Sequence, residues 1–89
     1  MQEKVKVAMA GPFLTLKRLK YDTRYNLDEC VIEYIHRGVP ENKKIIHGRD
    51  IIELGKSFFK TAEAEIPYHR ILTITWREEV LYKKKPYHT

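Results

Sequence analysis

Apolar and polar positions alternate along this chain in short runs, and their period changes from helical to two after the N-terminal segment. Phe13, Leu16 and Leu19, with Leu14 beside them, recur at helical spacing, while Lys17, Arg18 and Lys20 take the other side. Gly11-Pro12 breaks the chain just before, and Pro12 suits the first turn of a helix. The spacing predicts a short helix from residue 12 to about residue 20, its basic residues complementing the negative end of the helix dipole. Such a helix is marginal alone and must dock on something. Residues 21–29 are polar and read as a loop. Strands are predicted over residues 31–37 and 43–47, separated by the turn chemistry of Gly38-Val39-Pro40-Glu41-Asn42 and stopped at Gly48. Residues 50–54 fit one helical turn or an extended run equally. Residues 56–61 read as extended and 62–65 as a turn. The longest strand is predicted over 66–76, followed by a tight connection at 77–79 and a last strand over 80–82. The expectation is an α+β fold: a small antiparallel sheet of short strands, open or curled towards a barrel, with one short N-terminal helix packed on it.

With 89 residues there is room for one small domain. We place it at residues 12–82, after a flexible leader or edge strand at 1–11 and before a basic tail at 83–89. Charged residues make up 33 % of the chain and the formal net charge is +5, a balance that favours acidic partners. Cys30 is the only cysteine, which excludes an intrachain disulfide and a cysteine-based zinc site. It stands beside Val31 and Ile32, the setting of a buried strand residue. His36, His47, His69 and His88 lack metal-ligand spacing, and no cofactor is expected. No stretch approaches the roughly 18–20 apolar residues of a membrane span. A cytoplasmic protein without a membrane partner is the expectation.

Two clusters carry the candidate chemistry: Tyr34-Ile35-His36-Arg37-Gly38 and Ile66-Pro67-Tyr68-His69-Arg70-Ile71. Each combines an aromatic ring, a group titrating near neutral pH and a fixed cation with a planar donor fork, the mixture that a nucleotide phosphate requires. On regular strands, Tyr34 and His36 would share a face with Ile32, and Arg37 would point away. Tyr68 and Arg70 would share a face with Ile66, Leu72, Ile74 and Trp76, and His69 would point away. Both clusters are expected near strand ends, Gly38 closing one strand and Pro67 opening the other. The plainer reading of the same residues is structural: tyrosines at the edge of a core, satisfied imidazoles, and arginines paired with Glu33 or Asp50.

Three strings occur in order: His36-Arg37-Gly38 with a proline two positions on, Ile46-x-Gly48-x-Asp50-Ile51, and Ile66-Pro67-Tyr68-His69-Arg70-Ile71. Together they resemble a small, mainly archaeal family known as the RNA cyclic group end recognition domain, over roughly residues 14–82. That domain is also found attached to RNA ligase-like and two-histidine phosphoesterase-like modules. The resemblance implies recognition of RNA 3′ ends bearing 2′,3′-cyclic phosphate or related groups, in RNA processing or repair, alongside RNA-processing or ligase enzymes. It implies RNA- or phosphate-binding roles for His36, Arg37, Gly38, Gly48, Asp50, Tyr68, His69 and Arg70.

Three functions compete on these residues. As a binding module, Arg37 and Arg70 would make charge-assisted hydrogen bonds to phosphate, the histidines would donate to the same group, and Tyr34 or Tyr68 would stack on the terminal base. As an enzyme, His36 and His69 would act as general acid and base on a cyclic phosphodiester. As a protein-interaction module, the tyrosines and Trp76 would form a partner surface.

Overall fold

The computed structural model describes residues 11–84. The predicted leader or edge strand and most of the basic tail therefore lie outside the described residues. The helical stripe becomes α1 (Gly11–Tyr21), which buries Thr15, Leu16 and Leu19. Leu14, just before these buried positions, is 55 % exposed, as the period requires. Phe13 turns instead onto Tyr68, with ring centroids 5.0 Å apart.

Seven strands follow: β1 (Cys30–Ile35), β2 (Lys43–His47), β3 (Glu53–Leu54), β4 (Phe58–Lys60), β5 (Glu65–Pro67), β6 (Ile71–Trp76) and β7 (Glu79–Lys83). They divide into two antiparallel sheets, one ordered β2-β1-β6-β7 and the other β3-β4-β5. Neither closes into a barrel. Along β1 the buried residues alternate as the two-residue period demands, Cys30, Ile32 and Tyr34 inward and Val31, Glu33 and Ile35 half-buried on the other face. Ile74 pairs with Ile32 on the inner face. Phe59 and Ile66 of the small sheet join Leu16 and Leu19 of α1 in the same core, with Ile71, Ile74 and Leu81.

The predicted strand over 66–76 is two strands, and this corrects the side-chain directions read from it. A 3-10 turn at Tyr68–Arg70 interrupts the run, so that β5 belongs to the small sheet and β6 to the large one. Tyr68 and Arg70 therefore do not share one strand face with Leu72, Ile74 and Trp76. The undecided stretch 50–54 resolves into a 3-10 turn at Gly48–Asp50 and the short β3. The last strand reaches Lys83, and the Lys84 amide still donates to the Leu72 carbonyl at 2.8 Å. No helix among the described residues is long and apolar enough to cross a membrane.

Candidate functional site

β1 and β6 run antiparallel, and Tyr34 near the end of β1 lies opposite Ile71 at the start of β6. His36, Arg37 and Gly38 leave β1 immediately after that pair, and Tyr68, His69 and Arg70 enter β6 immediately before it. The two clusters thus meet at one end of the large sheet. The register shifts between Glu33 and Tyr34, leaving Leu72 as an extra residue, a bulge of the kind that re-aims side chains next to functional sites. Gly38 sits at φ +93°, a left-handed conformation that glycine adopts without strain, and it turns the chain towards β2. The His36 amide closes the hairpin by donating to the Asn42 carbonyl at 2.9 Å.

Two clefts flank this end. The first, about 650 Å³, is lined by Tyr34, His36, Lys44, Arg49, Asp50 and Glu63, with Ile46 and Ile52 as apolar wall. Lys44 pairs with Tyr34 across the β1–β2 ladder, which puts it on the same face. The His36 ring packs edge-on to Tyr34 at 6.1 Å. Burial, and then the Glu63 carboxylate, raises the Tyr34 hydroxyl above its ordinary pKa. Asp50 accepts a hydrogen bond from the His47 amide at 3.1 Å and so caps its own turn. Arg49 occupies the middle of that turn and is exposed.

The second cleft, about 690 Å³, is lined by Phe13, Lys56, Tyr68, His69, Tyr82 and Lys84 among others. Its described lining contains no carboxylate. Lys84 Nζ donates to the His69 backbone carbonyl at 2.6 Å, fixing an ammonium at the start of β6. Tyr68 is only 6 % exposed, its ring lies between Phe13 and Phe59, and its hydroxyl donates to the Gly55 carbonyl at 2.6 Å. Burial, with a smaller contribution from Glu53, pushes that hydroxyl up to about 12. A ring so enclosed cannot offer a face to a nucleobase.

The candidate residues therefore separate. His36 and Asp50 line the first cleft, and Tyr68 and His69 the second. The two imidazoles do not converge on one cavity, as an acid–base pair acting on one phosphodiester would need. Arg37, Gly38 and Arg70 are exposed and line neither cleft. Among the described residues neither arginine enters an ion pair: Glu33 pairs with Lys43 at 3.5 Å instead. Gly48 is buried, and a Cβ there would run into the Leu27 carbonyl and the Cys30 sulfur, so packing accounts for its identity. Lys44, Arg49, Glu63 and Lys56 escaped the sequence reading, and Lys84 entered it only as part of the basic tail. Alternation along β2 sets Lys44 on the face of Ile46, but only the pairing with β1 shows that this face carries Tyr34. The described residues hold no group of three or more His, Cys, Asp or Glu side chains able to bind a metal.

Residues 14–84 match the family described as the MJ1316 RNA cyclic group end recognition domain. A UPF0248 protein of Methanococcus vannielii is 42 % identical over 71 residues, covering 78 % of this chain and 85 % of its own length. A UPF0248 protein of Pyrococcus abyssi is 43 % identical over 63 residues, 71 % of this chain and 75 % of its own. One from Thermococcus sibiricus is 38 % identical over 71 residues, 79 % of this chain and 80 % of its own. No solved structure matches the chain.

Proposed function

The chain belongs to the RNA cyclic group end recognition domain family, and from that premise we propose that it binds RNA 3′ ends carrying a phosphate, the 2′,3′-cyclic phosphate above all. The observation that carries the proposal is the convergence of both His-Arg clusters on one end of the large sheet, set by the Tyr34–Ile71 pairing. There His36 opens into a cleft that also holds Lys44 and Arg49. In this reading the terminal phosphate takes charge-assisted hydrogen bonds from Lys44, Arg49 and His36. The exposed Arg37 and Arg70 hold the preceding phosphates, and His69, Lys56 and Lys84 extend the basic path along the second cleft. The half-buried His36 ring, in place of Tyr68, offers the terminal base a stacking face. Asp50 and Gly48 act indirectly, by shaping the turn that presents Arg49. An RNA-processing or ligating enzyme would act on the end so held.

Chemical-shift mapping tests the placement. Addition of a short RNA ending in 2′,3′-cyclic phosphate to isotope-labelled protein is expected to move resonances of residues 36–38, Lys44, Arg49 and 69–71 most. Shifts confined to the outer sheet face around Ile45 and Val80 would overturn it.

A further inference from the structure

The first cleft is not simply basic. Two cations, Lys44 and Arg49, face two carboxylates, Asp50 and Glu63, so that with His36 uncharged the cleft is formally neutral. None of the four is in an ion pair among the described residues. The carboxylates differ in what else they do. Asp50 is committed to the His47 amide and holds its turn together. Glu63 makes no side-chain hydrogen bond among the described residues, yet the backbone that carries it is held. The Thr61 hydroxyl accepts from the amides of Glu63 and Ala64, both at 3.2 Å, and the Thr61 amide donates to the Ala64 carbonyl at 2.8 Å. The result is a well-held turn that carries a carboxylate to the cleft rim without using it for stability. Its field reaches the cleft wall, since it contributes to raising the Tyr34 hydroxyl.

A 2′,3′-cyclic phosphate is a diester with one negative charge. A 3′-phosphomonoester carries about 1.5 to 2 at neutral pH. The repulsion from the carboxylates and the attraction of the cations both scale with ligand charge, so with all four charges present they offset each other for either end. What remains is the cost of desolvation, which rises with the square of ligand charge and disfavours the monoester, whereas loss of one carboxylate would leave a net attraction that favours it. We propose that Glu63 makes this cleft selective for singly charged phosphate ends over doubly charged ones, so that discrimination rests on a repulsive element as well as on attraction. The inference rests on the RNA-end reading above and adds the criterion by which ends are sorted.

The test titrates wild type and Glu63→Gln at low salt with four otherwise identical RNAs, ending in 2′,3′-cyclic phosphate, 3′-methyl phosphate, 3′-phosphate and 3′-hydroxyl. The substitution keeps size and removes charge at an exposed position. Wild type is expected to bind both monoanionic ends better than the 3′-phosphate. In Glu63→Gln the monoanions should gain about two- to threefold and the 3′-phosphate about the square of that, which narrows the preference. An unchanged ratio between cyclic and 3′-phosphate ends in Glu63→Gln overturns the inference and leaves end recognition standing. So does a wild type that ranks the methyl phosphate with the 3′-phosphate, which would make ring shape the criterion. If no phosphorylated end binds better than the 3′-hydroxyl, end recognition itself falls, and this inference with it.

Discussion

Tyr34 and Ile71 stand opposite each other where β1 ends and β6 begins. Two segments far apart in sequence, each carrying a histidine followed by an arginine, are thereby brought to one end of the large sheet. The arrangement leaves Arg37 and Arg70 exposed and outside every described ion pair, while the tyrosine of the second cluster is taken into the core. Cations without an ion-pair partner among the described residues are available to an external one.

Arg37→Ala and Arg70→Ala should each weaken binding of a phosphate-ended RNA by about tenfold, the size expected for a charge-assisted hydrogen bond. Each lost phosphate contact should also flatten the slope of log affinity against log salt by about 0.7. Stability should stay within about 0.5 kcal/mol of wild type, because both side chains are on the surface. Titrations at several salt concentrations, paired with urea unfolding, check both parts.

Tyr68→Phe should behave in the opposite way. It strips the donor from the Gly55 carbonyl, at a cost of about 1–2 kcal/mol, and leaves RNA affinity nearly unchanged. A shift of the urea midpoint with an unaltered dissociation constant is the expected pair of results.

Gly48→Ala should destabilise more. The new methyl collides with the backbone of the Leu27–Glu29 turn and with Cys30, and overpacking of this kind costs about 1–3 kcal/mol or more. Thermal unfolding should show a markedly lower midpoint, because a backbone carbonyl cannot move aside as a flexible side chain can.

Alkaline pH should unfold the protein progressively. Burial pushes the Cys30 thiol up to about 12 from an ordinary value of 9.0, and the Tyr68 hydroxyl up to about 12 from 10.0. Both groups are held neutral in the fold, so the unfolded chain binds fewer protons once pH passes their ordinary values. Their contribution is complete below about pH 9 and is lost as pH rises towards 12, with each group adding at most about 1.4 kcal/mol per pH unit to the slope. Unfolding midpoints measured from pH 7 to 11 should fall above 9. Cys30, fully buried, should react with a thiol reagent at pH 8 only when denaturant is present.

Elements governed by local pattern were legible in the sequence. The stripe of Phe13, Leu16 and Leu19 fixed α1, and Gly38 with residues 43–47 fixed the first hairpin, because helix period and turn chemistry act over a few residues. The break at Tyr68–Arg70 was not legible. Alternation over residues 66–76 falters only at Arg70-Ile71, and what sets the break is distant: the Tyr68 hydroxyl is tied to Gly55, thirteen residues away, and its ring is held by Phe13 and Phe59. The cleft partners were hidden for a similar reason. Lys44, Arg49 and Glu63 lie on three different elements, and only the register between strands and the packing of the small sheet bring them together.

The central claim is recognition of the RNA end, and a competition titration at fixed moderate salt tests it most directly. Two short RNAs, identical except that one ends in 2′,3′-cyclic phosphate and the other in a free 3′-hydroxyl, compete for the protein. The account predicts a preference of about tenfold or more for the cyclic end, as expected when charge-assisted hydrogen bonds are made to one ligand only. Equal affinities that decline together with salt, or no binding of either RNA, would contradict it.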